Sequence, residues 1–221
     1  MQPVQPSLPP PAVPSSRWHV GVLLFPDVEL LDFCGPLEVF TVAERLLDET
    51  DSAASLRAFT IALEKSPVVT RAGLQVLPDY SLDEHPRMEM LVVPGGIGTR
   101  HAAENERLIE WIASIMSSEA QITASVCTGA FLLARTGLLG NREVTTHWAS
   151  LERLAREYPE LMVQRDVRYV DTGNIVTSAG ISAGIDMSLH LVARIFGDEL
   201  AHRTAHQMEY QWRDGTAGSV K

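Results

Sequence analysis

The chain has 221 residues, carries a formal charge of −10 and is 45% hydrophobic, which is enough apolar material for one domain with a substantial core. The negative excess repels phosphate backbones and removes the usual electrostatic basis for binding nucleic acid. Two cysteines, Cys34 and Cys127, are too few for a disulfide framework, and no apolar run approaches the roughly 20 residues that cross a bilayer.

Met1–Ser16 is rich in Pro and Ser and has neither the basic start nor the apolar stretch of a signal peptide. Composition therefore predicts a disordered tail over 1–16, one domain over 17–212, a polar tail over 213–221 and a cytoplasmic home. A neutral small molecule suits such a surface as a partner, with no role for nucleic acid or membrane.

In chain order, His19–Phe25 is an apolar run ended by Pro26, as in a strand buried on both faces. Leu30–Leu47 shows helical spacing, with Asp27 or Asp32 available to cap its start. Leu56–Leu63 reads as a strand, and Leu74–Leu77 as a short one in a hairpin with Val68–Val69. Met90–Val93 is a buried strand stopped by Pro94-Gly95-Gly96, and Glu104–Ser117 is an amphipathic helix with Leu108, Ile112 and Ile115 on one face. Ile122–Val126 is a further buried strand leading into Cys127. Thr128–Leu139 follows as an apolar helix interrupted by Gly137, and His147–Glu157 as another. Val167–Val170 and Ile175–Val176 pair as a hairpin, and Ala183–Phe196 and Glu199–Tyr210 close the chain as helices. Strands alternating with helices, and apolar throughout, predict a doubly wound α/β fold with a mostly parallel, flavodoxin-like sheet covered on both faces. Ligands in such sheets bind beyond the carboxyl ends of strands, which selects the loop after Phe25, the Pro94-Gly95-Gly96 turn and Cys127.

Each of these carries a chemical reading beside a structural one. Cys127 in Ala124-Ser-Val-Cys-Thr-Gly-Ala130 has the strand–turn–helix layout of a nucleophile elbow, where a helix N-terminus lowers the thiol pKa. A small buried packing cysteine explains the local pattern equally well. The glycines of Pro94-Gly95-Gly96-Ile-Gly98 leave bare amides that suit a developing negative charge, or simply end a strand. No Lys-Ser/Thr follows to make a phosphate loop. Asp32 stands among Leu30, Leu31 and Phe33, where a carboxyl has a raised pKa suited to acid–base work unless it caps the helix. Cys34 reads as a packing residue. His147 in Thr145-Thr-His-Trp148 reads as a hydrogen-bonding histidine that could touch the site. His202 and His206 are four apart on a helix without a third ligand, which predicts a surface pair and no metal.

The strings FPDVELLDFCGP (25–36), VPGGIG (93–98), SVCTGAF (125–131) and TTHW (145–148), in this order, resemble the DJ-1/PfpI superfamily, and within it most the isocyanide hydratase branch. The resemblance covers roughly residues 18–210. It implies Cys127 as nucleophile, Asp32 as its acidic partner, the amides of Gly96 and Thr128 as the oxyanion site and a homodimer. It implies no cofactor, and a reaction that adds water to an isocyanide to give an N-substituted formamide. Thr128 stands where amidase- and protease-like relatives often have histidine, which counts against Cys–His hydrolysis. Gly95, Ile97, His147 and Ile181 join the expected substrate-binding set. The same resemblance leaves two alternatives: a glyoxalase or deglycase acting on α-oxoaldehydes, and a redox- or ligand-sensing domain like that of AraC-type regulators. The latter need a helix-turn-helix region, for which little sequence remains after Trp212.

Overall fold

The computed structural model describes residues 17–50 and 53–212; the expected tails, 1–16 and 213–221, lie outside the described residues. The elements in chain order are β1 (Arg17–Leu24), α1 (Leu30–Asp48), β2 (Ser55–Ala62), β3 (Val68–Val69), β4 (Gln75–Val76) and β5 (Tyr80–Ser81). Then come β6 (Met90–Val93), α2 (Thr99–Ala102), α3 (Glu106–Ser118), β7 (Ile122–Val126), α4 (Gly129–Arg135) and β8 (Glu143–Val144). A single 3-10 turn (Trp148–Ser150) leads into α5 (Leu151–Glu157), followed by β9 (Met162–Val163), β10 (Tyr169–Asp171), β11 (Ile175–Ser178), α6 (Ala183–Phe196) and α7 (Asp198–Gln207).

The main sheet has the order β10-β11-β7-β6-β1-β2-β5, parallel except for the antiparallel edge pair β10–β11. This is the doubly wound, flavodoxin-like α/β architecture that the alternation of strands and helices predicts. From β1 the chain first steps to β2, then returns to β6 on the other side of β1. Right-handed crossovers in opposite directions must place their helices on opposite faces. Accordingly α1, α6 and α7 pack together on one side, and α2, α3 and α4 on the other. Sandwiched between, β6 and β7 are buried at every position, and each large aliphatic side chain so covered contributes about 1.5–3 kcal/mol. The reversal of direction lies between β1 and β6, so their carboxyl ends part and leave a crevice.

Several boundaries depart from the periodicity. The helix expected over Thr128–Leu139 ends at Arg135, because Gly137 takes φ +73 and turns the chain out of the helix. The helix expected from His147 becomes α-helical only at Leu151; His147 instead precedes the 3-10 turn, its Nδ1 accepting from the Ala149 amide at 3.3 Å. Neither Asp27 nor Asp32 caps α1. Glu29 holds that position without a side-chain bond, Asp27 sits in a turn at φ +58, and Asp32 lies within the first turn. The third helix starts at Glu106 because the Asn105 side chain accepts from the Leu108 amide. Short β5, β8, β9 and α2 had no periodic signal, since two to four residues complete no hydrophobic period.

Candidate active site

Three loops converge at the crevice, and backbone bonds tie them together. The loop after β1 is held to the turn after β6 by Glu29 N–H donating to Gly95 O at 2.9 Å and Gly98 N–H donating to Asp27 O at 3.2 Å. Close approach is possible because Gly96 has φ +121 and no side chain; a Cβ there would collide with the backbone of Asp27 and Glu29. Gly95 is bare for a second reason: a Cβ would come within 2.6 Å of the Thr128 nitrogen and 2.8 Å of Asp32 Oδ2. The turn thus brings α1 and the start of α4 onto one point.

At that point Cys127 adopts φ +56, a left-handed conformation that non-glycine residues hold only under constraint. The constraint is visible on both sides of the residue. Its N–H donates to Ser178 O at 3.1 Å and Ala179 O at 3.3 Å, and its carbonyl accepts from Thr146 Oγ1 at 2.7 Å. Thr145 anchors the same segment, its N–H donating to Thr177 Oγ1 at 2.8 Å and its hydroxyl to Gln164 O at 3.0 Å. The two threonines of the TTHW string therefore hold the elbow in place, a role that sequence reasoning missed because their partners, Cys127, Thr177 and Gln164, are 19 or more positions away in the chain. Thr146→Val keeps the shape and removes the donor, leaving the Cys127 carbonyl unpaired in a buried place. The expected cost is about 1–3 kcal/mol, read as a lower urea midpoint at unchanged slope, together with slower Cys127 chemistry.

Asp32 is wholly inaccessible to solvent. One oxygen, Oδ2, accepts from the Gly95 amide at 3.1 Å, while Oδ1 has no hydrogen bond of acceptable geometry. The Cys127 thiol lies close enough that each side chain alters the other's ionisation, so the contact is near but unaligned. Burial pushes the Asp32 carboxyl up to about 7, aided by Glu29 and opposed by Cys127 and the Gly95 amide. Burial and the Asp32 charge push Cys127 up to about 12, against the Thr128 amide and hydroxyl, which favour thiolate. The expected lowering of the thiol pKa by the helix end is corrected here: the amide acts as anticipated, but desolvation and a neighbouring carboxylate outweigh it. Such a pair titrates as a unit. One proton leaves near 7 and the other stays until about 12, so over that span the two groups hold a single proton between them.

Gly96, Ile97, Cys127, Thr128, His147 and Ile181 all line one cavity of about 220 Å³. Asp32 and Gly95 are buried and do not line it. Ile97 and Ile181 are partly exposed at its edge, and Ile181 has φ +51. The expected pair of free oxyanion amides divides. The Thr128 amide addresses the sulfur, whereas the Gly96 amide already donates to Thr128 Oγ1 at 3.0 Å. That hydroxyl accepts again from Thr99 at 3.3 Å and can donate to Gly96 O at 3.1 Å. Thr128 thus supplies a hydroxyl network as well as an amide. Sequence reasoning missed Glu29, Thr99, Arg100, Ser150 and Arg153, which complete the lining; their approach depends on tertiary packing.

A larger cavity of about 340 Å³ opens over the ends of β1 and β2 between Leu63, Pro67 and Leu108. No cysteine lines it. Cys34 packs partly buried against the core, its thiol pushed up by burial and Glu38. His202 and His206 are both exposed on α7, His202 edge-on to Trp212 at 5.2 Å. Among the described residues no group of three His, Cys, Asp or Glu side chains is placed to hold a metal ion, and no helix is long and apolar enough to cross a membrane.

The model of the DJ-1/PfpI family matches residues 19–194. The isonitrile hydratase of Pseudomonas putida is 33% identical over 193 residues, which are 87% of this chain and 78% of that protein. GbdR, an HTH-type transcriptional regulator of Pseudomonas aeruginosa, is 28% identical over 204 residues; the match takes in 91% of this chain but only 54% of the regulator. Among solved structures, a ThiJ/PfpI family protein from Pseudomonas syringae superposes with a TM-score of 0.77 at 26% identity, over 90% of this chain and 78% of its own.

Proposed function

Because the chain belongs to the DJ-1/PfpI family, we propose that it is a cysteine-dependent hydratase converting organic isocyanides to N-substituted formamides. The single observation that carries this reading is the Cys127 thiol in the cavity wall with the solvent-excluded Asp32 carboxyl beside it, next to Thr128 rather than a histidine. Hydration of R–N≡C releases no leaving group, so one thiol and one carboxyl passing a proton between them suffice.

The steps follow from that arrangement. As sulfur attacks the terminal carbon, its proton moves to Asp32, and Asp32 returns it to that carbon to give the thioimidate R–N=CH–S–Cys127. Asp32 then takes a proton from water as the oxygen adds, and the nitrogen receives it. Collapse of the tetrahedral adduct breaks the C–S bond as the hydroxyl proton passes through Asp32 to the departing sulfur, which releases R–NH–CHO and restores the thiol–carboxyl pair. The Thr128 amide, aimed at sulfur, favours departure of the thiolate. Ile97, Ile181 and His147 contact the substituent R. The likeness to the Pseudomonas putida hydratase over most of both chains supports this choice among the family's chemistries, and the reading includes a homodimer in the cytoplasm.

A second reading draws support from the likeness to GbdR: the same cavity retains a small ligand without converting it. Incubating the protein separately with an alkyl isocyanide and with methylglyoxal, and following formamide and lactate, tests the reading. Formamide alone is the expected result. Lactate alone transfers the protein to the glyoxalase branch, and neither product, with saturable binding, to the ligand-retaining one.

A further inference from the structure

Among the residues that line the cavity at Cys127, charge runs opposite to that of the whole chain. The formal balance of −10 points to a neutral substrate, yet two arginines, Arg100 on α2 and Arg153 on α5, line the cavity that contains the sulfur. Its one acidic lining residue, Glu29, belongs to the side of the cavity formed by the loop before Asp32.

Arg153 is held in a particular way. Its guanidinium carbon lies 3.8 Å from the centre of the Phe131 ring, a cation–π stack that fixes the plane of the group. Its Nε is buried and has no hydrogen-bond partner among the described residues. The Glu157 carboxylate one turn along α5 forms an ion pair with Nε at 3.8 Å, longer than a hydrogen bond. A guanidinium stacked on a ring, paired only loosely with Glu157 and forming part of the cavity wall suits a planar anion presented from the cavity, which a carboxylate meets with two parallel hydrogen bonds. Arg100, exposed on the neighbouring element, adds attraction at the entrance. The volume of about 220 Å³ restricts the occupant to a small molecule.

We propose that the substrate carries a carboxylate, held by Arg153 with help from Arg100, while its reactive carbon meets Cys127. This rests on the hydration reading for the identity of the reactive group, but the anion site stands on its own geometry. Two measurements keep these apart.

The first uses iodoacetate and iodoacetamide, which alkylate a thiol alike and differ in charge, with Cys127 modification followed by peptide mass spectrometry. The ratio of the two rates is expected to fall about fivefold to tenfold in Arg153→Met and by a smaller factor in Arg100→Met, with Arg153→Lys between. Arg100 is exposed, so its variant reports even where Arg153→Met folds poorly. The second compares kcat/KM for an isocyanide bearing a free carboxylate with that for its methyl ester. The acid is expected to be preferred by about tenfold or more, with the preference lost in Arg153→Met. An alkylation ratio unmoved by all three substitutions overturns the anion site, even where both isocyanides are hydrated. A ratio that falls as expected while neither isocyanide reacts overturns the hydration reading and leaves the anion site in place.

Discussion

Cys127→Ala is expected to reduce isocyanide hydration by about 10⁴-fold or more, to the level set by binding and polar surroundings alone. The loss is expected in kcat, since the thiol is the group that forms the covalent bond. Formamide production followed at saturating isocyanide checks it, and retention of even a tenth of the activity removes Cys127 from its role. A companion variant separates chemistry from folding. Cys127 sits at φ +56 with its backbone bonded on both sides, so Cys127→Gly relieves strain while abolishing the sulfur. That protein is expected to be inactive yet more stable than the wild type by about 1 kcal/mol. A destabilised glycine variant contradicts the idea that the fold stores strain at this position.

Asp32→Asn is expected to lower kcat/KM by about 10²–10⁴-fold, the usual contribution of a positioned acid–base group. Its clearest signature is in pH. The wild-type rate rises as pH passes about 7, where the pair drops from two protons to one and becomes able to exchange the remaining proton. With asparagine that limb disappears, and activity follows the thiol's own ionisation at higher pH. Stability changes with the opposite sense. The folded carboxyl, at about 7, holds its proton more tightly than an ordinary one at 3.8, so the folded state carries the extra proton between these values. The contribution of Asp32 to stability is therefore full below about pH 4 and declines as pH rises towards 7, by up to about 4 kcal/mol. Asp32→Asn is expected to flatten that decline and to be the more stable protein at pH 8. Urea unfolding of both proteins at pH 5 and 8 reads the difference directly. Parallel curves remove Asp32 as the titrating group.

Some of this was legible in the residues alone, and some was not. Strands apolar at every position, Met90–Val93 and Ile122–Val126, announce a two-sided burial that only a parallel sheet between helix layers provides, and the structure has them at its centre. Long helices such as α1, α3 and α6 repeat their apolar period often enough to be read. By contrast β5, β8, β9 and α2 are too short to show a period, and their formation depends on neighbours supplied by the rest of the fold. The ends of α4 and α5 depended on backbone dihedrals at Gly137 and on a hydrogen bond to His147, neither of which has a hydrophobic signature.

For the site, the sequence by itself pointed to Cys127 and the two glycines at strand ends and to Asp32 in the first turn of α1. Side-chain type and position on a buried strand already restrict what such residues can do. Their relations were decided by the tertiary structure alone. Asp32 and Cys127 are 95 positions apart, and both ionisations are pushed up chiefly because packing excludes water, an effect of surroundings rather than of residue identity. Packing likewise reversed the expected direction of the thiol shift, occupied the Gly96 amide with the Thr128 hydroxyl, set Thr146 against the Cys127 carbonyl and delivered Arg153 to the cavity from a helix whose sequence carries no sign of it. Desolvation, alignment and charge proximity are properties of distance in space, and a linear pattern encodes them only where the chain happens to be locally folded.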